Sequence, residues 1–292
     1  MPHVDEEIAS QPACWGLAVD LAARSTDPLP APGERVAVIG CGTSWFMAMA
    51  YAALREGVRH GETDAFPASE FPADRPYDRV VAITRSGTTT EVLDALHVTS
   101  ARTTAIVGDP DSPAARHASQ AVPLPFADEH SVVQTRFATS TLMLLRAHLS
   151  GDLVGTAPAD AAEAVRARLP LDPAGVEQIT FLGTGWTVGL AHEAALKCRE
   201  AAGFWTEAYP AMEYRHGPIA IAAPGRAVWA FGEVPDGLAD EVAATGALFV
   251  HSGQRDPLAD LVLAQRFAVA VAALRGLDPD RPRHLTRSVI LS

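Results

Sequence analysis

The sequence predicts an α/β protein with parallel, doubly wound sheets. Short runs of β-branched and apolar residues alternate with helical stretches along most of the 292 residues, which is the pattern of βαβ units. A strand, a G-x-G turn and a helix also follow one another twice, at Gly40-Cys41-Gly42 and at Gly183-Thr184-Gly185. This repeat indicates an internal duplication, and therefore two domains.

The first half of the chain begins with a predicted helix at residues 7–24, and closely spaced prolines follow it at Pro28, Pro30 and Pro32. Strands are predicted at 35–39, 79–83, 103–107 and 121–124. Helices are predicted at 45–56, about 91–98 and 137–149. The first two strands each run into a turn that is rich in glycine and in hydroxyl side chains.

The second half starts after a predicted connecting helix at 159–169 and a boundary at Pro170 and Pro173. Strands are predicted at 178–182, 227–231 and 247–251, with helices at 188–202 and about 258–274. We expect an N-terminal helix and linker (1–30), a first domain (31–155), a second domain (170–275) and a C-terminal tail (276–292).

The composition excludes several classes of protein. Asp and Glu number 35 against 23 Lys and Arg, a formal net charge of −12, so no basic excess is available for nucleic acid or an anionic membrane. Cys14, Cys41 and Cys198 form no C-x-x-C pair, which excludes a disulfide scaffold and a zinc ribbon.

The acidic N-terminus does not resemble a signal peptide, and no run reaches the roughly 18 apolar residues of a membrane span. We expect a soluble cytoplasmic protein without a metal or cofactor.

The turns after the first two strands favour an anion. A strand–turn–helix junction directs backbone N–H groups and a helix dipole at one spot, and both turns add hydroxyl groups. The residues concerned are Gly42, Thr43 and Ser44 in the first turn and Thr84, Ser86 and Thr89 in the second, with Arg85 as a further positive charge. Because the carboxyl ends of adjacent parallel strands meet at a crevice, we expect these groups to converge on a phosphate monoester. Ordinary turn and capping roles explain one such loop more easily than two.

Two other ligand classes fit the second half less well. The turn Gly183-x-Gly185-x-x-x-Gly189 is close to a dinucleotide fingerprint, but Glu207, the acid at a suitable distance, lies in a Tyr- and Pro-rich segment. Within the helix predicted at 188–202, the segment that begins with His192-Glu193 resembles a zinc-protease motif, but Leu196 stands where the second His belongs.

The same helix carries Glu193, Lys197 and Glu200, whose spacing places them within roughly 60° on one helix face. Such a stripe is usually a solvated face. Its position after a glycine turn, near the carboxyl edge of a sheet, favours a functional role instead. His216 precedes Gly217-Pro218 and is expected in a loop, where an imidazole is often functional.

Several motifs in order identify a family. They are Glu7-Ile8-x-x-Gln11-Pro12, Gly40-Cys41-Gly42-Thr43-Ser44, Ser86-Gly87-Thr88-Thr89, Ser131-Val132-Val133-Gln134-Thr135-Arg136, Glu193-Ala194-Ala195-Leu196-Lys197-x-x-Glu200, Arg215-His216-Gly217-Pro218 and Asp280-Arg281-Pro282-Arg283-x-Leu285-x-Arg287-Ser288-Val289. With them the chain resembles the sugar isomerase (SIS) superfamily, in particular the isomerase half of glucosamine-6-phosphate synthase and its stand-alone relatives.

The resemblance implies two tandem SIS domains, each with a flavodoxin-like sheet, and a tail that closes over the site. It also implies a homodimer that shares its sites and takes a small 6-phosphosugar. Phosphate binding would fall to Ser44, Thr84, Ser86 and Thr89, while Val132 and Gln134 would line the sugar. Glu200 would move a proton between C1 and C2, and His216 would open the ring from a partner subunit. Glu193 and Lys197 would organise the hydroxyls and the enediolate.

The chain departs from the family pattern at three points. Arg287 stands where the synthase has a lysine that forms a Schiff base; an arginine cannot do this but can bind a carboxylate or phosphate. Arg85 replaces a neutral residue, which favours a more acidic substrate. The glutaminase domain has no counterpart, so glutamine is not expected as the ammonia source. We therefore expect aldose–ketose isomerisation of a hexose or hexosamine 6-phosphate, extending to deamination of glucosamine 6-phosphate. A fructosamine-6-phosphate deglycase and a non-catalytic sugar-phosphate sensor are the alternatives.

Overall fold

A computed structural model describes residues 2–24 and 27–291, and these residues form two compact units. The first-sheet unit contains the described residues of 10–130, 134–155 and 286–291. The second-sheet unit contains residues 2–9, 131–133 and 156–285. Each unit therefore gathers three separate stretches of chain, whereas the domain boundaries predicted from the sequence follow chain order and stay a prediction.

The first-sheet unit is built around a five-stranded parallel sheet. Its strands are β1 (Val36–Gly40), β2 (Thr63–Pro67), β3 (Arg79–Thr84), β4 (Arg102–Val107) and β5 (Gln120–Pro123). They pair in the order β2-β1-β3-β4-β5, and Val36 of β1 lies opposite Thr63 on one side and Arg79 on the other. Every residue of β1 is buried, which explains its uninterrupted apolar sequence.

Helices surround this sheet and bury its two faces. They are α2 (Thr43–Gly57), α3 (Thr90–Val98), α4 (Pro113–His117) and α5 (Arg136–Leu149). The N-terminal helix, α1 (His3–Arg24), has residues in both units. On one face, Ile39 and Ala82 of the sheet share a hydrophobic cluster with Val92 and Leu96 of α3. Helices α2 and α5 pack against each other.

The second-sheet unit repeats the same design with four parallel strands. The strands are β6 (Gln178–Gly183), β7 (Trp205–Pro210), β8 (Arg226–Phe231) and β9 (Leu248–His251), in the order β7-β6-β8-β9. The helices are α6 (Ala157–Ala164), α7 (Thr187–Ala202), α8 (Leu238–Ala244) and α9 (Pro257–Leu274). An aromatic core joins the elements: the ring centroids of Phe181 and Trp229 are 5.9 Å apart, and those of Trp229 and Phe267 are 6.5 Å apart.

The expectation that no segment could span a membrane does not hold for α9, which is long and apolar enough by length and composition. A buried core helix passes the same test, and 67% of this helix is buried against its unit. It packs on α7 and α6. Within it, Asp260 is 2% exposed and accepts a hydrogen bond from Trp229 Nε1 at 3.0 Å.

The alternating strands and helices predicted from the sequence are confirmed, but the structure corrects five details. Strands β2 and β7 and the short helices α4 and α8 were not predicted, and the helix expected at 159–169 ends at Ala164. Both missed strands lie at a sheet edge, where half-exposed residues need no apolar run. Helix α8 has only seven residues, which is too short for a clear helical period.

Candidate active site

The first predicted anion turn joins β1 to α2. A Cβ atom on Gly40 would lie 2.7 Å from Cβ of Ser44, so only glycine allows the helix to start this close to the strand. Gly42 has a φ of +53° and precedes the first helical residue. The turn buries Ser44 to 4% exposure. Strand order reverses between β1 and β3, which is the position where open α/β sheets form a ligand crevice.

The second turn joins the neighbouring strand, β3, to α3. Gly87 has a φ of +62°, and a Cβ atom there would collide with Ser112. The loop is shaped by its own hydroxyls: Thr84 Oγ1 accepts a hydrogen bond from Gly87 N at 3.2 Å, and Ser86 Oγ accepts one from Thr88 N at 3.3 Å. The two predicted turns therefore meet at neighbouring strand ends, as expected from the sequence.

A small cavity of about 30 Å³ lies where the two turns meet. The predicted phosphate- or sugar-binding residues that line it are Ser44, Thr84, Arg85, Ser86, Thr89, Gln134 and Arg287. Gly42 and Thr43 are not among the lining residues. Oε1 of Gln134 is buried and has no hydrogen-bond partner among residues 2–24 and 27–291, so it is available to a ligand.

Arg85 is almost fully buried at this cavity, with 2% exposure. Its Nη1 lies 3.9 Å from Oε2 of Glu129, which is equally buried, and its Nη2 donates to the carbonyl of Arg287 at 3.0 Å. The charge of Arg85 is therefore paired with a buried carboxylate, and its expected contribution to ligand binding stays a prediction. The sequence motifs included Glu129 in no role. Its Oε1 accepts the N–H of Arg136, the first residue of α5, at 2.8 Å, and an acidic residue within a short distance of a helix start was the available signal.

Cys41 also lines this cavity but has no nucleophilic character. Burial, with the nearby charge of Glu91 as a second cause, raises the pKa of its thiol to about 11. The thiol is therefore neutral near neutral pH. Among residues 2–24 and 27–291, no group of three or more His, Cys, Asp or Glu side chains is arranged to hold a metal ion.

The charged helix of the second-sheet unit is α7. Glu193 and Lys197 have side-chain exposures of 0% and 1%, so the solvated-face interpretation is wrong for both. The Lys197 ammonium lies 3.5 Å from Glu193 Oε1 and is in closer contact with Oε2 of Glu200. Glu200 is 21% exposed. A buried ammonium held between two carboxylates on one helix face leaves Glu200 as the member that a ligand can reach.

Glu200 faces a cavity of about 660 Å³ within this unit. The end of α7 and the segment after α9 form its walls, which are mainly basic. Its charged lining residues are Arg199, Glu200, Arg275, Asp278, Arg281 and Arg283. The cavity is large enough for a ligand of sugar-phosphate size.

Val132 is held in the same unit by the segment that follows this cavity. The carbonyl of Asp280 accepts a hydrogen bond from Val132 N at 3.2 Å, while the Asp280 carboxylate accepts the N–H groups of His3 and Val4 at 2.7 and 2.9 Å. Gln134, two residues further on, belongs to the first-sheet unit. Val132 is not among the residues that line the cavity of Gln134, and its expected contact with the sugar stays a prediction.

His216 is exposed and closes a single 3₁₀ turn, Glu213–His216. The residue before it, Arg215, is fixed by both carboxylate oxygens of Glu241 at 2.8 and 2.9 Å. The turn is thus anchored while the imidazole faces outward. The surface position agrees with the expected loop.

The second glycine turn uses its hydroxyls internally. Thr184 Oγ1 donates to the carbonyl of Glu233 at 2.9 Å, and Thr187 Oγ1 accepts from Thr184 N at 2.8 Å. Glu207, the candidate ribose ligand, accepts a hydrogen bond from Tyr209 at 3.0 Å. These contacts give no support to dinucleotide binding.

With this geometry established, residues 31–150 match one protein family, the SIS domain. Residues 31–150 are a SIS domain. The cavity formed by the two hydroxyl-rich turns belongs to this SIS domain, with Arg287 added from the C-terminal segment.

The relatives of the chain agree with this family. It is 29% identical over 294 residues to the glutamine–fructose-6-phosphate aminotransferase (isomerizing) of Sulfolobus acidocaldarius, which covers 87% of this chain and 50% of that protein. The chain thus spans about half the length of the curated relatives it matches.

The crystal structure of glucosamine-6-phosphate deaminase from Thermotoga maritima has a TM-score of 0.84 and 26% identity, covering 99% of this chain and 100% of that one. The C-terminal domain of glucosamine-fructose-6-phosphate aminotransferase from Francisella tularensis has a TM-score of 0.83, covering 96% and 98%; at 20% identity it shows the fold alone.

Proposed function

We propose that this chain binds a hexose or hexosamine 6-phosphate and interconverts its aldose and ketose forms, with deamination when the substrate is glucosamine 6-phosphate. The observation that carries the proposal is the cavity at the switch point of the SIS domain. Its hydroxyl groups, from Ser44, Ser86 and Thr89, lie around one cavity with Gln134 Oε1, which has no hydrogen-bond partner in the part of the chain that the structure describes. Hydroxyl donors around one small cavity suit the oxygens of a phosphate monoester.

Proton transfer between C1 and C2 of the open-chain sugar is assigned to Glu200. Its carboxylate takes the proton from one carbon and returns it to the other, passing through an enediolate. Lys197 offers a positive charge beside Glu200, and the buried Glu193 holds that ammonium in place. The partial exposure of Glu200, against full burial of the other two, supports its assignment as the reacting group.

Ring opening is assigned to His216, acting on a site of a partner subunit in a homodimer. An exposed imidazole on an anchored turn supports this assignment, because such a group is available to a second molecule. The second-sheet unit is proposed to be a second SIS domain of the same flavodoxin-like type. Its strand order, β7-β6-β8-β9, repeats the order of the first four strands in the first sheet.

An amino-sugar phosphate is favoured by the relatives. The Thermotoga maritima protein, matched over nearly its whole length, is a glucosamine-6-phosphate deaminase. The curated relatives that are matched over about half their length are glutamine–fructose-6-phosphate aminotransferases. Both names concern a six-carbon sugar 6-phosphate and a nitrogen-containing group.

The test is a panel of hexose and hexosamine 6-phosphates, assayed in parallel for ammonia release and for aldose–ketose interconversion. The matching unphosphorylated sugars serve as controls and should give neither binding nor turnover. Turnover of a fructosamine 6-phosphate alone would favour the deglycase function. Binding of several phosphosugars without any turnover would identify a sensor and contradict the proposed catalysis.

A further inference from the structure

The C-terminal segment 286–291 is bonded to the second anion turn along its backbone. The carbonyl of Arg287 accepts a hydrogen bond from Arg85 Nη2 at 3.0 Å. The carbonyl of Val289 accepts one from Thr90 N at 3.2 Å, and Ser288 Oγ lies 3.0 Å from Thr88 Oγ1. The main chain of Arg287 is therefore fixed against the turn that the proposed function assigns to the phosphate.

The guanidinium of Arg287 is held in a different way. Its Nη2 lies 2.5 Å from Oδ1 of Asp128, and its Nη1 donates to the carbonyl of Glu129. The side chains of Arg287 and Asp128 are 38% and 34% exposed, so this ion pair is open to solvent. Exposed ion pairs are weak, and a stronger anion can displace the carboxylate without moving the main chain.

Arg287 and Ser86 line two cavities of the first-sheet unit. One is the cavity of about 30 Å³ between the two turns, and the other is an open cavity of about 400 Å³ that Asp128 and Asp109 also line. The small cavity has room for about two water molecules. Release of the guanidinium from Asp128 would join the two spaces and bring a planar, two-pronged donor to a phosphate group.

We propose that Asp128 is a positioning residue that occupies the Arg287 guanidinium when the site is empty, and that the substrate's phosphate replaces the Asp128 carboxylate as its partner. This inference rests on the proposed function, since it takes a phosphate at the same site. It predicts that substitutions of Asp128 and Arg287 change the affinity for phosphate in opposite directions. Asp128 competes with the ligand, so its removal should tighten phosphate binding, whereas removal of Arg287 should weaken it.

The experiment is calorimetric titration with glucose 6-phosphate of the parent protein, Asp128→Asn, Arg287→Met and the double variant. We expect Asp128→Asn to bind about fivefold tighter, which is the loss of one exposed competing ion pair. Arg287→Met should bind about tenfold weaker or worse, because a charge-assisted contact to phosphate is lost. In the double variant the tightening should vanish, since the two residues act through one contact.

Asp109→Asn is the matched control. Asp109 lines the same open cavity, but its carboxylate accepts the N–H of Asp111 at 2.9 Å and forms neither a hydrogen bond nor an ion pair with Arg287. It should change affinity by less than about twofold, which separates a general loss of negative charge from the specific contact. Arg287→Lys keeps the charge without the two-pronged geometry and should lie between the parent and Arg287→Met.

Weaker binding by Asp128→Asn would overturn the inference, because Asp128 would then help to hold the C-terminal segment in its binding position. Unchanged binding would also overturn it, because Asp128 would then have no effect on the ligand. The proposed function would survive that result as long as the parent protein binds the phosphosugar. If the parent binds neither glucose 6-phosphate nor inorganic phosphate, the proposed function itself fails and the inference fails with it. Thermal melting of each variant shows whether a loss of binding comes from loss of the fold.

Discussion

The ammonium of Lys197 lies 3.5 Å from Oε1 of Glu193, and both side chains are excluded from solvent on helix α7. Two charges buried this completely persist only when they are paired, because each alone carries a desolvation penalty of several kcal/mol. The third charged residue of the same face, Glu200, is 21% exposed. Glu193 and Lys197 therefore form a buried ion pair, whereas the carboxylate of Glu200 is accessible to a ligand. Substitutions of the buried pair and of Glu200 should for this reason have different effects on stability and turnover.

Glu200→Gln should abolish catalysis while leaving binding intact. The amide keeps the size of the side chain but cannot accept a proton, so turnover should fall about 100-fold to 10,000-fold. Solvent deuterium exchange at C2 of the bound sugar, measured by NMR, should stop as well. Glu163→Gln, on the exposed surface of α6, is the matched control and should keep parental turnover. A Glu200→Gln protein that exchanges deuterium at the parental rate would falsify the assignment of the base.

Lys197→Met should lower the stability of the fold in addition to removing the positive charge beside Glu200. It leaves the Glu193 carboxylate buried without its cation, and breaking a buried pair in this way costs about 3–5 kcal/mol of unfolding free energy. Denaturant titration measures this loss. The double variant Glu193→Gln/Lys197→Met should recover much of it, because neither charge then remains buried. Equal losses in the single and double variants would show that packing, and not charge pairing, accounts for the effect.

Ser86→Ala combined with Thr89→Ala should weaken phosphosugar binding severely. The phosphate loses two hydrogen bonds to an ionised acceptor, each worth on the order of 1.5–3 kcal/mol. Calorimetry with glucose 6-phosphate measures the change. Ser100→Ala, an exposed serine just beyond α3, should bind like the parent. Unchanged affinity in the double variant would remove this cavity as the phosphate site.

Mixed subunits test whether His216 acts on a partner. Glu200→Gln and His216→Ala proteins should each be inactive, but a mixture that exchanges subunits should regain turnover, because one hybrid site holds both intact groups. The activity of the mixture, measured against mass spectrometry of the hybrid dimer, gives the result. A mixture that forms hybrids and stays inactive would place His216 in its own subunit's site or outside catalysis.

Because the carboxyl group of Asp260 is buried, we expect the free energy of unfolding to depend on pH. Burial, the largest cause, raises the pKa of this carboxyl above its ordinary value of 3.8. The folded state then binds more protons than the unfolded state above that pH, so the free energy of unfolding falls as pH rises through the folded pKa. Asp260→Asn stays neutral and can still accept the Trp229 N–H. Its stability relative to the parent should therefore increase from pH 4 to pH 7 in urea titrations. A constant difference across this range would contradict the raised pKa.

The local pattern of the sequence was sufficient for most elements of the fold. Buried strands such as β1 are continuous apolar runs, and the turn at Gly87 requires a glycine because its φ is positive and Ser112 leaves no space for a Cβ atom. Edge strands β2 and β7 carry no such run, since most of their residues are partly exposed to solvent. For the site, the hydroxyl turns were predictable because parallel strands end at one edge of the sheet.

The sequence by itself determined the repeated strand–turn–helix design, the hydroxyl-rich turns and the common helix face of Glu193, Lys197 and Glu200, because each depends on spacing within a few residues. Only the tertiary structure decided which charges are buried and what balances them. The partner of Arg85 is Glu129 and that of Arg287 is Asp128, 159 residues away along the chain. Ion pairing depends on distance and solvent exclusion, and neither quantity is encoded in the spacing of residues that meet only after folding.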